Sequence, residues 1–175
     1  MKIEVISLTT NYERTKEWLD LAFDNLDKVV KFYKINEFAA CVFRIQLSTE
    51  QLQKALIVLL GLQFRKTHEP SKILELIEFN EHIKIEKKVL EKIKRIAVIS
   101  KKIEEEGTAT RYGIIVDNKL ISPDEKYDKT KTDECLDDLK RVLIFFKDLF
   151  KENPDLKPEL TRLSEFITKI RELEK

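Results

Sequence analysis

Three glycines, four prolines and two cysteines are all the chain spends on turns and crosslinks in 175 residues. So few turn formers exclude a β-sandwich or barrel, which needs a turn signal every ~8–12 residues. Glycines at positions 61, 107 and 113 alone cannot build a phosphate-cradling loop or a dinucleotide fingerprint. Cys41 and Cys135 form no Cys-x-x-Cys and have no histidine at ligand spacing, so they read as two buried thiols rather than a zinc site. The longest apolar run, Ala55 to Leu62, is eight residues, against the ~18 of a membrane span. The opening MKIEVISL is followed by polar residues without a small-residue cleavage site, which gives a cytoplasmic protein as the expectation. An excess of one charge is missing too: 33 basic residues face 32 acidic ones, so no single-sign stripe for nucleic acid is written in the chain. Histidine, the side chain whose unperturbed pKa lies near neutrality, occurs only at positions 68 and 82, which narrows acid–base chemistry.

What is present is helical period. Charged residues make up 37% of the chain and hydrophobic ones 42%, the balance of a folded domain, and the length fits one domain with at most a short appendage. After Thr10 and Asn11, either of which can cap, Trp18, Leu19, Ala22, Phe23, Leu26, Val29, Val30 and Tyr33 recur at steps of three and four. Asn36 is placed to cap a second helix running to about Gln63. Its apolar residues cover more than one face, so it must be surrounded. If one subunit cannot cover it, a second copy must, and this is the sequence argument for a homodimer. A connection around Gly61 and Pro70 leads to a third, shorter helix with Ile73, Leu74, Leu76 and Ile77. A fourth follows from about Ile85 to Glu105, which Gly107 is placed to stop. Its lysines alternate with glutamates, the pattern of a solvated face. The stretch from Thr108 to Thr132 is the least helical part. It contains an extended piece from Gly113 to Ile121 with an Asp-Asn turn, and loops of this length are where sites are sought. A fifth helix spans about Asp133 to Lys151, and Pro154 and Pro158 precede a last one. The expected organisation is a bundle over 1–152 and a helical arm over 153–175 packed on the same domain.

Polar residues interrupt the second helix: Arg44, Gln46, Ser48, Thr49, Glu50, Gln51, Gln53 and Lys54. Unpaired, each buried one costs ~1–3 kcal/mol, so several on one helix must bond one another, another helix or a ligand. Glu50 and Lys54 stand in the favourable i,i+4 order. His68 sits beside Arg65, Lys66 and Glu69 in the connection, while His82 falls at a helix end among charged residues in a solvated or capping position.

Four pieces in order then resemble the HEPN family of prokaryotic helical domains: EWLDLAFDNLDKVV, AACVFRIQLSTEQLQKALIVLLG, KTHEPSKILELI and ATRYG. Glu50, Lys54, Ala55 and Leu56 match the family's second-helix segment, Thr67, His68, Leu74 and Leu76 its connection, and Arg111 and Tyr112 its arginine-tyrosine element. The likeness covers roughly residues 12–150. It implies an all-α fold, an antiparallel up-and-down bundle of four to five long helices with an extra C-terminal helix, pairing as a homodimer. It also implies two branches of function, metal-independent ribonucleases and partners of nucleotidyltransferases or nucleotide-binding modules. The nuclease branch is marked by an arginine separated from a histidine by four to six intervening residues. Here the matching positions are Gln63, Leu62 and Gly61 before His68, and Ile77, Leu76 and Glu75 before His82.

The expectation is therefore a non-catalytic nucleotide- or partner-binding module, paired with a nucleotidyltransferase in a toxin–antitoxin-like system, with no metal and no cofactor. The candidate ligand residues are Arg44, Glu50, Lys54, Arg65, His68, Arg111 and Tyr112, the cations for phosphate and Tyr112 for stacking. Two alternatives stand beside it: an RNA-cleaving enzyme using Arg65, His68 or Arg111 in an atypical arrangement, and a structural adaptor.

Overall fold

A computed structural model describes residues 8–64, 66–81, 83–151 and 153–173. Of the residues singled out above, Arg65 and His82 lie outside the described residues. The chain forms α1 (Leu8–Lys34), α2 (Phe38–Leu59), α3 (Ser71–Glu75), α4 (Lys87–Glu105), α5 (Ala109–Tyr112), β1 (Ile114–Val116), β2 (Lys119–Ile121), α6 (Pro123–Lys126), α7 (Lys129–Phe150) and α8 (Lys157–Leu173). Single 3-10 turns at Ile77–Phe79 and Pro154–Leu156 complete it. The fold is all-α with one small antiparallel hairpin, as the periodicity and the resemblance lead one to expect.

The apolar stripes read from the sequence form one core. Leu19, Ala22, Phe23, Leu26 and Val29 of α1 are buried against α2 and α8, and Leu136, Leu139, Val142, Leu143 and Phe146 of α7 close it from the other side. On α8, Phe166 stacks on Phe23 with centroids 5.8 Å apart, and Arg162 reaches Asp20 at 2.5 Å while covering the same Phe23 ring. Among the described residues, no helix is long and apolar enough to cross a membrane.

Some helix ends differ from the sequence reading. α1 runs through Thr10 and Asn11, so neither caps it. Asn36 takes a left-handed φ of 60° in the turn, and α2 starts two residues later at Phe38. α7 begins at Lys129, four residues early, because Asp128 caps it by accepting from the Lys131 N–H at 2.8 Å. A capping acid outweighs the weak apolar signal of its first turn.

The larger correction concerns α2. Fifteen of its residues are buried within the single chain, from Ala39 to Leu59, under α1, α3, α4, α5, α6 and α7. The condition on which the sequence argument for a homodimer rested is not met: α1, α4 and α7 cover this helix together with the short α3, α5 and α6, so its apolar faces by themselves call for no second copy. What stays half-open is a narrow stripe containing Phe43, Leu47, Gln51 and Val58.

The segment between α4 and α7 is built around residues that tolerate positive φ. Asp117 and Asn118, at 49° and 61°, make the two-residue turn that joins β1 to β2. Gly113 lies at 72°, and a Cβ there would sit 2.1 Å from the carbonyl oxygen of Ile121, so only glycine closes the base of the hairpin.

Candidate functional site

The candidate residues fall into two clusters along α2. In the first, Lys54 donates to Glu50 Oε1 at 2.5 Å, one helical turn away, and both side chains are nearly buried. The ammonium lies 5.0 Å from the Trp18 ring centroid and 5.6 Å from that of Phe64, whose rings meet at 5.8 Å. Desolvated cation–π contacts of this kind are worth ~2 kcal/mol. α1 supplies Trp18, and the chain leaving α2 supplies Phe64. The other oxygen of Glu50 faces His68 Nδ1 at 3.3 Å, while the rest of the imidazole is exposed. Glu50 thus ties a buried lysine to a surface histidine.

In the second cluster, Arg44 donates to Asn25 Oδ1 at 3.1 Å, and Asn25 in turn donates to Gln51 Oε1 at 2.9 Å. The Arg44 guanidinium lies 5.3 Å from the Phe43 ring centroid and that of Arg111 5.6 Å, and Arg111 also lies 5.7 Å from Tyr112. α5 therefore brings Arg111 and Tyr112 to the N-terminal half of α2, away from the Glu50–Lys54 pair. Tyr112 itself is exposed. The sequence candidates do not converge on one cavity. The groove that touches the first cluster, about 620 Å³, is lined by Arg14, Trp18, Leu21, Val58, Gln63 and Phe64.

Trp18, Phe64, Asn25 and Phe43 were missed as site residues because each meets its partner from a different element or turn, and no local spacing announces such a meeting. Two further carboxylates also escaped notice. Glu104 of α4 accepts from Gln53 at 2.8 Å, from the Ser71 N–H at 3.1 Å and from the Ser71 hydroxyl. Burial holds its carboxyl above the usual range despite these bonds. Glu106 accepts from Lys126 at 2.6 Å, from the Tyr127 hydroxyl at 2.9 Å and from Lys131 at 3.1 Å. Burial alone would raise its carboxyl, but these three donors outweigh it and hold the group below its ordinary value. Among the described residues, no group of three or more His, Cys, Asp or Glu is placed to hold a metal ion. Cys41 and Cys135 are free and buried, and burial pushes their thiols up to about 12 and about 11.

Comparison with known proteins bears on this arrangement. The HEPN domain model matches residues 15–149. A protein of Methanocaldococcus jannaschii named "Putative toxin MJ1304" is 29% identical over 147 residues, 84% of this chain and 95% of the relative. No solved structure matches the chain.

Proposed function

The chain belongs to the HEPN domain family, and from that premise we propose that it is a toxin-like, non-catalytic module that works by binding a partner protein across the face shared by α1 and α2. One observation carries this reading. The Lys54 charge is consumed by Glu50 under a roof of Trp18 and Phe64, so this cation of the candidate ligand set offers little to a phosphate. Beside it the surface is apolar and half-open: Leu21, Leu47, Val58 and Trp18, with the Asn25–Arg44 pair available to fix register. A face of this kind suits a helix of another protein better than a nucleotide. The relative's name supports the toxin-like half of the proposal. The partners that suit it are a nucleotidyltransferase-type protein, acting with it in the cytoplasm, and a second copy of the chain. Nucleotide binding through Arg44, Arg111 and Tyr112 is the weaker form of the proposal.

A second reading has its own observation. Glu50 orients His68 and leaves the rest of the ring open to solvent, the posture of a general base that a metal-independent ribonuclease uses. Induced expression in a bacterial host separates the two. On the partner-binding reading, growth arrest persists in His68→Ala and is relieved by Leu47→Asp. Relief by His68→Ala, with RNA cleaved in a chelator-treated assay by the parent chain alone, would establish the ribonuclease instead.

A further inference from the structure

The segment from Glu106 to Tyr127 leaves the bundle and returns to its starting point. Glu106, just past the end of α4, is bonded to Lys126 and Tyr127, which follow the hairpin, and to Lys131 in the first turn of α7. One carboxylate therefore closes the neck of an excursion about twenty residues long, in the manner of a compact Ω-loop. Within it, Arg111 anchors the near side on Phe43. Gly113, Asp117 and Asn118 all adopt left-handed backbone to shape the hairpin.

That construction displays apolar surface. Ile115 and Leu120 oppose each other across the two strands, 75% and 61% exposed, with Tyr112 71% exposed at the base. In a hairpin with a two-residue turn, Val116 and Lys119 form the closing ladder pair. The N–H and C=O groups of the next pair, Ile115 and Leu120, therefore point outward from the ribbon. The sheet has two strands, so neither outer edge pairs with a further strand among the described residues. An unpaired edge flanked by apolar side chains is a template for another strand.

We propose that this ribbon is a strand-addition site: an extended segment of another polypeptide, with apolar side chains at alternate positions, joins it as a third strand. Its backbone bonds the outward groups of Ile115 or Leu120, and its apolar side chains rest on Ile115, Leu120 and Tyr112. A second copy of the chain is the poorer occupant. Tyr112, Ile115, Val116 and Leu120 offer far less than the ~800 Å² per partner that a stable dimer buries, whereas an added strand draws its affinity from main-chain hydrogen bonds. Asp117 and Lys119 at the tip carry opposite signs, so the occupant needs no net charge. The site adjoins the α1–α2 face through Arg111 and Phe43 but does not depend on the function proposed for that face.

The test uses the full chain and a capped octapeptide of alternating valine and threonine, followed by amide NMR. The proposal expects shifts confined to residues 112–121, slowed exchange at Ile115 or Leu120, and at least about tenfold weaker binding for the peptide N-methylated along its pairing edge. The double variant Ile115→Lys/Leu120→Lys, altered only at exposed positions, should keep its melting temperature and lose the peptide. Equal binding of the N-methylated peptide, shifts on α1 and α2 instead, no shifts up to the peptide's solubility, or self-association through the ribbon would each overturn it.

Discussion

Lys54 is a charge enclosed by its own protein. Removing it leaves Glu50 buried with only His68 beside it, and a buried ion deprived of its partner costs ~3–5 kcal/mol. Lys54→Ala should lose stability on that scale in denaturant unfolding, whereas Glu50→Gln combined with Lys54→Met, which removes both charges at similar volume, should recover most of it. The i,i+4 spacing made this pair visible in the sequence; its burial was not, because Trp18 and Phe64 arrive from other parts of the chain. Gly113 is the opposite case. Its neighbours read as an extended piece with a turn, but nothing local disclosed that a side chain there collides with the Ile121 carbonyl. Gly113→Ala should cost more than ~1 kcal/mol and broaden the amide signals of the hairpin while leaving those of α1 and α2 in place.

Among the elements, the long helices were legible because each carries a stripe deep enough to outvote its polar residues. The short α3 was legible only as a third helix drawn too long, over Ile73 to Ile77 where the helix ends at Glu75, and α5 and α6 were not, since four residues hold too little period to register. The Asp117-Asn118 turn was legible from residue type alone. Glu106 and Glu104, two residues apart, titrate in opposite directions, which gives the end of α4 a pH signature. Glu106 is held low, so the stability it lends the neck is complete above its unfolded value of 4.5 and is lost as pH falls through the folded one. Amide exchange across residues 107–127 should quicken on acidification, and Glu106→Gln should exchange fast throughout with no acid step. Glu104 is held high, so its contribution is complete below 4.5 and lost as pH rises through the folded value. Glu104→Gln should therefore flatten the upper side of the stability profile and leave the acid step of residues 107–127 intact.

At the scale of the molecule, the sequence disclosed that α2 is enclosed but not by what. Apolar residues on several faces demand cover, and period cannot distinguish a chain's own distant segments from a second chain. α1, α3, α4, α5, α6 and α7 provide that cover here. The fold should accordingly persist on dilution: the helical far-ultraviolet circular dichroism per residue should be the same at high and at sub-micromolar concentration. Loss of helix signal at low concentration would mean that assembly holds α2 in place. If pairing occurs, it adds contacts to a finished subunit rather than completing one.

A helix sheathed by its own polypeptide is mature as soon as translation ends. No waiting period for assembly then delays what the newly made chain does. On the partner-binding proposal, the amount left free is then set by its rate of synthesis relative to that of its partner, so gene dosage becomes the control point.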